Sequence, residues 1–352
     1  MDLERLGTRE RPTFGLDTFG DVPVPRAGDP DAHADVLRQV VAEAELADRV
    51  GLDYIGLGEH HRPDYAISAP EVLLSAIAAR TERIRMGTGV TVLSSDDPIR
   101  VYERFATVDA IARGRAEIQL GRGSFVESFR LFGHRLEDYE TLFDEKLDLF
   151  AHVQREEPVT WQGSHRLPLE GAQVWPRSEQ GGIPAWIAVG GTPQSVLRAA
   201  AYRMPLVLAV IGGSPEAFVQ LAGLYRRALD EQGVPELPIG MHSPGHVAAT
   251  DEEAREQMFP HQAEVFTRIG QERGWPPYSR IAFEQAASPQ GALFVGSPET
   301  VAQKIAWAVR MLGLSRFQLK YAVGALPHEQ RLESIRLYGE EVVPRVRELL
   351  AG

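Results

Sequence analysis

The sequence predicts an α/β protein folded as a single (β/α)8 barrel, and three observations carry that expectation. Eight short apolar runs alternate with longer amphipathic segments along the 352 residues. Strands that are each followed by a helix close into such a barrel. Several runs are apolar at nearly every position, as strands covered on both faces are. The competing fold, a doubly wound open sheet, needs a G-x-G-x-x-G phosphate loop after its first strand. The chain offers GLDTFGDVPVP there, without that spacing. The expectation is one domain over residues 1–352, a TIM barrel with insertions over its C-terminal mouth.

In order, the runs read as strands are TFGLDTF (13–19), DYIGL (53–57), RIRMGTGV (83–90), RAEIQLG (115–121), PAWIAVG (184–190), PLVLAVI (205–211), PIGMHSPGHVA (238–248) and RFQLKYAV (316–323). Helical patterns over 35–51, 98–114 and 298–313 end at Gly51, Gly114 and Gly313. Glycine just past the last turn suits a left-handed C-cap. Thr192-Pro193, Ser214-Pro215 and Ser297-Pro298 each set a hydroxyl before a proline, a start signal for a helix. Asp97-Pro98 repeats the device, so the acidic pair of SSDDP is read as an N-cap rather than a metal site. Two segments break the alternation. Residues 155–183, with VTWQGSHRLPLEG, read as a strand–turn–strand excursion around Gly163. Residues 251–291 combine a helical pattern with the Pro- and aromatic-rich GWPPYSR. Insertions of this length in a barrel serve as lids or substrate walls. For Trp161, Trp175 and Trp275, in or near these segments, plain packing is favoured over an aromatic wall above a ligand.

Composition removes whole classes of function. The formal net charge is −12, from 49 acidic against 37 basic residues. Such a surface repels nucleic acid and anionic lipid at long range, so neither is expected as a partner. The chain has no cysteine, which excludes disulfides, thiolate metal sites and Cys nucleophiles. MDLERLGTRERP is charged and lacks a signal-type apolar core. No apolar stretch approaches the roughly 18 residues of a membrane span. A cytoplasmic protein is expected.

Four stretches carry the chemistry. GLGEHHRPDY (57–66) ends the second run with Glu59, His60 and His61, at the strand end where a barrel keeps its site. Adjacent residues in extended chain point to opposite sides, so the two imidazoles are not expected to share one ligand. A histidine there can move protons near neutral pH or donate to an anionic intermediate. A packed pair or a metal pair are the competing readings. A mononuclear hydrolase barrel would want His-x-His on strand one, which offers Asp17 and Thr18 instead. GRGSF (121–125) follows the fourth run. Gly121 and Gly123 allow close backbone approach, and Arg122 can pair with a phosphate. VGGTPQSVLRAA (189–200) follows the fifth. Gly190 and Gly191 lead into a helix start at Thr192 that can take an anion, with Ser195 one turn in. MGTGVTVL (86–93) closes the third run, where Thr88 between two glycines suggests unusual backbone or ligand contact. His242 and His246 lie four apart on the seventh run. Pro244 and Gly245 break the alternation there, and both are read first as polar barrel residues.

Together these stretches resemble the bacterial luciferase-like flavin monooxygenase superfamily. GLGEHHRPDY is similar to its Glu-His-His signature. RIRMGTGVTVLSSDDPIRVYERFATVDAIARGRAEIQLGRG with SFVESFRLFG is similar to its long block through strands three and four. VGGTPQSVLRAA resembles its phosphate loop. The likeness is strongest over 51–133 and weaker over 184–320. It implies an FMN-dependent monooxygenase acting on a small organic substrate, with the reduced FMN supplied by a separate flavin reductase. The alternatives behind it are a deazaflavin-dependent hydride-transfer enzyme, which one branch of the family provides, and a flavin-binding protein without turnover. By position, it makes His60 the catalytic histidine, flanked by Glu59 and His61. Arg122 becomes the phosphate-binding arginine, with Gly123 beside it, and Gly190, Gly191, Thr192 and Ser195 the phosphate loop. Thr88, Gly89 and Val90 lie under the flavin, with a non-proline cis bond expected at Gly89–Val90. No metal ligands are implied, and a homo-oligomer through the early helices is. One departure stands out: true luciferases carry a reactive cysteine at the place of Gly121, so light emission is not implied.

Overall fold

A computed structural model describes residues 4–123 and 125–352. Each of the eight apolar runs contains a strand. These are β1 Thr13–Thr18, β2 Tyr54–Leu57, β3 Arg85–Thr88, β4 Ile118–Gly121, β5 Ala185–Val189, β6 Leu206–Ala209, β7 Ile239–Val247 and β8 Arg316–Lys320. They pair in parallel in the order β3-β2-β1-β8-β7-β6-β5-β4. A parallel bridge between Met86 and Ala116 brings β3 to β4 and closes the ring. A short strand, Thr91–Val92, resumes after β3 and adds to β4 with Thr91 opposite Leu120. Since every strand runs the same way, all C-terminal ends open on one mouth.

The helices α1 Pro30–Arg49, α2 Pro70–Ala78, α3 Pro98–Ile111, α4 Tyr139–Val153, α5 Pro193–Ala201, α6 Val219–Glu231 and α7 Pro298–Leu312 surround the strands. Their ends follow local chemistry. The Asp97 carboxylate accepts from the Ile99 and Arg100 N–H groups at 2.9 and 3.2 Å, so SSDDP is a cap. Ser297 caps α7 through the Thr300 N–H, and Gly313 ends it in the left-handed region at φ 62°, which costs a side-chain-bearing residue more than glycine. Outward strand positions such as Leu16, Ile55 and Ile118 join the helices' apolar faces in one buried core.

The barrel interior differs from the uniformly apolar runs that the sequence suggests. At the N-terminal end, Glu117 takes two hydrogen bonds from Arg316 (2.7 and 3.1 Å) and one from the Trp186 indole at 2.9 Å. Arg85 pairs with the same carboxylate. The Arg316 guanidinium is stacked 4.5 Å from the Tyr54 and Trp186 ring centres. Burial alone would raise the Glu117 carboxyl, but Arg316 and Arg85 outweigh it and bring it down to about 2.

The two excursions take different places. Residues 155–183 carry the antiparallel pair Val159–Trp161 and Leu169–Ala172. Gln180 meets Asp109 and the Ala116 carbonyl near the floor. Arg166 meets Asp97, and the His165 N–H donates to Glu145. The excursion thus climbs the outside of the barrel, and only its tip reaches mouth level. Trp161 packs into the core and donates to Asp148 at 2.8 Å, whereas Trp175 is exposed. The segment 251–291 leaves the end of β7 and stands at the mouth. Helix Asp251–Arg273 and helix Arg280–Ala287 bury Met258, Val265 and Phe283 against Val323 and Leu326 beyond β8. Among the described residues no helix is long and apolar enough to cross a membrane.

Candidate active site

His60 stands three residues past β2. Its ring meets Phe19 edge-on at 4.8 Å, Tyr65 at 4.5 Å and Phe125 edge-on at 5.3 Å. This aromatic cage strips water from the imidazole, and the Lys320 ammonium adds repulsion. Together they push His60 down to about 3, so it is neutral at pH 7 and can accept or donate through either nitrogen. His61 turns the other way, as alternation requires. Its Nε2 lies 2.8 Å from Glu59 Oε1, and its ring packs edge-on against Phe132 at 4.9 Å. The second Glu59 oxygen accepts the Val92 N–H at 2.8 Å, and the Glu59 N–H donates to the Val90 carbonyl at 3.1 Å. Glu59 and His61 therefore brace the 89–92 loop, not the His60 ring.

That loop contains the expected non-proline cis bond, Gly89–Val90. Thr88 is placed differently from its neighbours. It is fully buried, and its hydroxyl is engaged by the Gln119 backbone and by Thr91 at 3.0 Å. It supports the loop from below. A Cβ at Gly121 would stand 2.6 Å from Val90 Cγ2, so the side chain of Val90 holds that position to glycine.

The phosphate-type residues come together past β4 and β5. An Arg122 Nη2–H donates to Ser195 Oγ at 3.3 Å, and Ser195 Oγ lies 2.8 Å from Thr192 Oγ1. The Thr192 hydroxyl is bonded to that of Ser195 and makes no side-chain cap for α5, which leaves the first-turn N–H groups available to an anion. A Cβ at Gly190 or Gly191 would meet nothing within 4 Å. The Tyr139 hydroxyl donates to the Gly123 carbonyl at 3.1 Å, fixing the turn after Arg122. Glu140, well exposed, pairs with both Arg122 and Arg198. An exposed pair of this kind is worth about 1 kcal/mol or less, so a phosphate can displace it.

These parts form one arc of the mouth. Glu59 joins the end of β2 to the loop after β3, Phe125 joins the β4 loop to His60, and Arg122 joins β4 to α5. Sequence reasoning missed the aromatic cage, the Lys320–Asp21 pair at 3.0 Å and the tie between mouth and cover. Phe19 had a signal, since it shares the inward side of the first run with Asp17. The tie centres on Arg62, which pairs with Asp64 and Glu127, bonds Glu272 of the cover helix, and lies 4.3 Å from the Phe125 ring centre. Arg268 of the same helix also reaches Asp64. Among the described residues no three His, Asp or Glu side chains converge as a metal site would need.

Comparisons with known proteins identify the family. The family model for luciferase-like monooxygenase matches residues 21–316. The chain is similar to N-acetyl-S-alkylcysteine monooxygenase of Bacillus subtilis, 32% identical over 63% of this chain and 63% of that protein, somewhat under two thirds of its length. It is also similar to 4-hydroxyprotoasukamycin monooxygenase of Streptomyces nodosus, 30% identical over 53% of this chain and 51% of that one. In fold it is similar to the monooxygenase RslO1 of Streptomyces bottropensis, with a TM-score of 0.82 at 24% identity, covering 94% of this chain and 99% of that chain. The oxygenating constituent of 3,6-diketocamphane monooxygenase of Pseudomonas putida, in complex with FMN, superposes with a TM-score of 0.76 at 20% identity over 95% of this chain and 98% of that chain. The protein is an enzyme that belongs to the luciferase-like monooxygenase family.

Proposed function

We propose that this enzyme is a single-domain FMN-dependent monooxygenase of a small organic substrate, using reduced FMN delivered by a separate flavin reductase. The observation that carries the reading is the convergence of Arg122, Ser195 and the uncapped start of α5 on the arc that also holds the neutral His60. The residues fit a flavin's phosphate: a guanidinium, two hydroxyls and free N–H groups surround a loop with open space at Gly190 and Gly191. Each charge-assisted bond to such a phosphate contributes about 1.5–3 kcal/mol. Reduced FMN, when bound, supplies the electrons that activate oxygen.

The chain's own residues do the rest. Arg122, Thr192 and Ser195 hold the anionic tail, and Gly123 keeps its turn. Thr88, Gly89 and Val90 form the shelf below, braced by Glu59 and His61. His60 holds or moves a proton at its ring nitrogens without carrying charge. The cover helix and Phe125 exclude water, which reactive intermediates require. One observation favours FMN over a deazaflavin, whose tail carries more negative charge. Other basic side chains around the mouth already face carboxylates: Arg198 faces Asp144, and Arg62 faces Asp64, Glu127 and Glu272. Arg135 pairs with Glu137 in the same way.

Anaerobic titration with reduced FMN and with a reduced deazaflavin tests the cofactor directly. The expected result is tighter binding of FMN. Oxygen consumption coupled to oxidation of a small organic substrate, lost in His60→Ala with FMN affinity retained, tests the activity. Failure to bind either flavin would overturn the reading. A homo-oligomer and a cytoplasmic location are part of the same proposal, checked by light scattering and by fractionation.

A further inference from the structure

Across the mouth from the phosphate residues, β1, β7 and β8 bring together a second polar group. The Asp17 Oδ2 and His242 Nδ1 atoms are hydrogen-bonded partners. Both side chains are buried, Asp17 at 1% and His242 at 6% exposure. Asp17 Oδ1 has no hydrogen-bond partner among the described residues, and neither has the Oε1 or Nε2 atom of Gln318. Gln318 is the register partner of both Gly15 and His242, so its amide belongs to the same inward patch. Orphaned buried atoms of this kind destabilise the fold unless a ligand or water meets them. The His242 ring lies parallel to Phe19, 5.9 Å between centres and 14° between planes. His60 meets the same Phe19 ring edge-on. The two imidazoles therefore share one aromatic partner, and His242 stands on the arc of the mouth away from Arg122. The charged groups around them are Asp17 on β1, Lys320 on β8, and Asp21, which holds the Lys320 ammonium 4.7 Å from the Phe19 ring centre.

We propose that His242 is a second proton-handling imidazole of this site, that its Nε2 meets the substrate, and that Asp17 is its positioning residue. This rests on reading the mouth as the flavin site. Asp17 accepts the Nδ1–H bond, so the Nε2 atom carries the lone pair. Among the described residues the ring's hydrogen bond is the one through Nδ1. It accepts the proton of a weakly acidic O–H or N–H group on the substrate. A bond forms between Nε2 and the proton, the O–H or N–H bond breaks, and its electron pair stays on the substrate. Asp17 keeps its charge and stabilises the imidazolium, and the proton returns when product leaves. The unpaired Asp17 Oδ1 and the Gln318 amide form the floor that receives the substrate's remaining polar atoms.

Diethyl pyrocarbonate, which acylates unprotonated imidazole nitrogen, is the probe, with modified peptides mapped by mass spectrometry at pH 7. The expected result is acylation of His242 in the wild type, slowed at least about fivefold in Asp17→Asn. Nitrogen NMR of the imidazoles is expected to show His242 as the Nδ1–H form, and a mixture of forms in Asp17→Asn. FMN affinity is measured beside it: within about twofold of wild type in Asp17→Asn and His242→Gln, and at least about tenfold weaker in Arg122→Ala. An unreactive His242 in the wild type, or FMN affinity lost in His242→Gln as in Arg122→Ala, overturns the proposal while the flavin reading stands. Wild-type protein that binds no FMN overturns the flavin reading first. Should Asp17→Asn fail to fold, wild-type reactivity and tautomer still decide.

Discussion

At the floor of the barrel, the Glu117 carboxylate receives Arg316, Arg85 and the Trp186 indole, and each of its oxygens is paired. At the mouth, Asp17 keeps one oxygen bare, Gln318 keeps its whole amide bare, and His60 sits neutral among rings. Both groups are polar and shielded from solvent, and they lie towards opposite ends of the same barrel. The floor is closed upon itself, so it holds the N-terminal ends of β3, β4, β5 and β8 in one arrangement. The mouth leaves capacity unused, which costs stability and has no structural return. That is the division between stability and chemistry expected of the two faces of such a barrel, and it can be broken from either side.

The largest effect belongs to the floor. Glu117→Ala strands the Arg316 charge in the interior, and breaking a buried pair from one side costs about 3–5 kcal/mol. Denaturant unfolding measures it, and the protein that remains folded is expected to keep its FMN affinity. A loss of FMN affinity without a loss of stability would erase the division. The mouth gives the converse. His60→Ala is expected to lower turnover by at least about 10²-fold, as removal of a positioned acid or base does, with unfolding in denaturant no easier than for wild type at pH 7.

How far the sequence led follows the same line. All eight strands were legible because their outward positions, such as Leu16, Ile55 and Leu319, make apolar runs that only a covered sheet explains. The cap at Asp97 and the C-cap at Gly313 were legible because each needs only local chemistry. Glu59, His60, Arg122 and Ser195 were legible as motifs at strand ends. What stayed hidden is pairing across the ring. Asp17 and His242 are 225 residues apart in sequence, and no local pattern joins them. The bonds of Thr88 were hidden for a related reason: a motif shows a hydroxyl but not that Gln119 of the next strand already engages it.

Arg122→Ala comes next in size. Loss of one charge-assisted bond is expected to weaken FMN binding by about 10- to 100-fold, the equivalent of roughly 1.5–3 kcal/mol. Ser195→Ala is expected to act less, and both effects are read by fluorescence titration. Stability of the free enzyme is expected to stay near wild type, because Arg122 meets exposed Glu140, a hydroxyl and the face of Tyr139 at 5.3 Å.

The pH dependence separates floor from mouth without altering either. His60 lies at about 3 in the folded chain against an ordinary value of about 6.5. Below about 6.5 the unfolded chain takes up a proton there that the folded chain refuses. Its contribution is therefore fully present above about 6.5 and is lost as pH falls towards 3. Between pH 7 and 5 that amounts to roughly 2 kcal/mol, at 1.36 kcal/mol per unit. Glu117 works in a lower window: its carboxyl, brought down to about 2, contributes above its unfolded value near 4.3 and fails only below that. Urea unfolding of wild type and His60→Gln at pH 7 and 5 isolates the difference, and equal losses in both proteins would refute a neutral caged His60.

The smallest effect tests the cover. Glu272 is well exposed, and its bonds to Arg62 run from the cover helix to the mouth. In Glu272→Gln the guanidinium keeps Asp64, Glu127 and the Phe125 ring. Exposed ion pairs contribute about 0.2–1 kcal/mol, so global unfolding is expected to shift by no more than that. Local opening is another matter. The cover helix packs its own small core around Met258 and Val265, and its C-terminal end meets the mouth through Glu272, Arg268 and Arg273, whose guanidinium lies 5.6 Å from the Phe125 ring centre. Amide exchange over that stretch is expected to quicken several-fold in Glu272→Gln while β1, β2 and β8 stay unchanged. Uniform acceleration would mean that the cover is one cooperative unit with the barrel. Acceleration confined to the helix would mean that the mouth opens by releasing a surface bond, leaving both the floor and the polar group beneath Phe19 undisturbed.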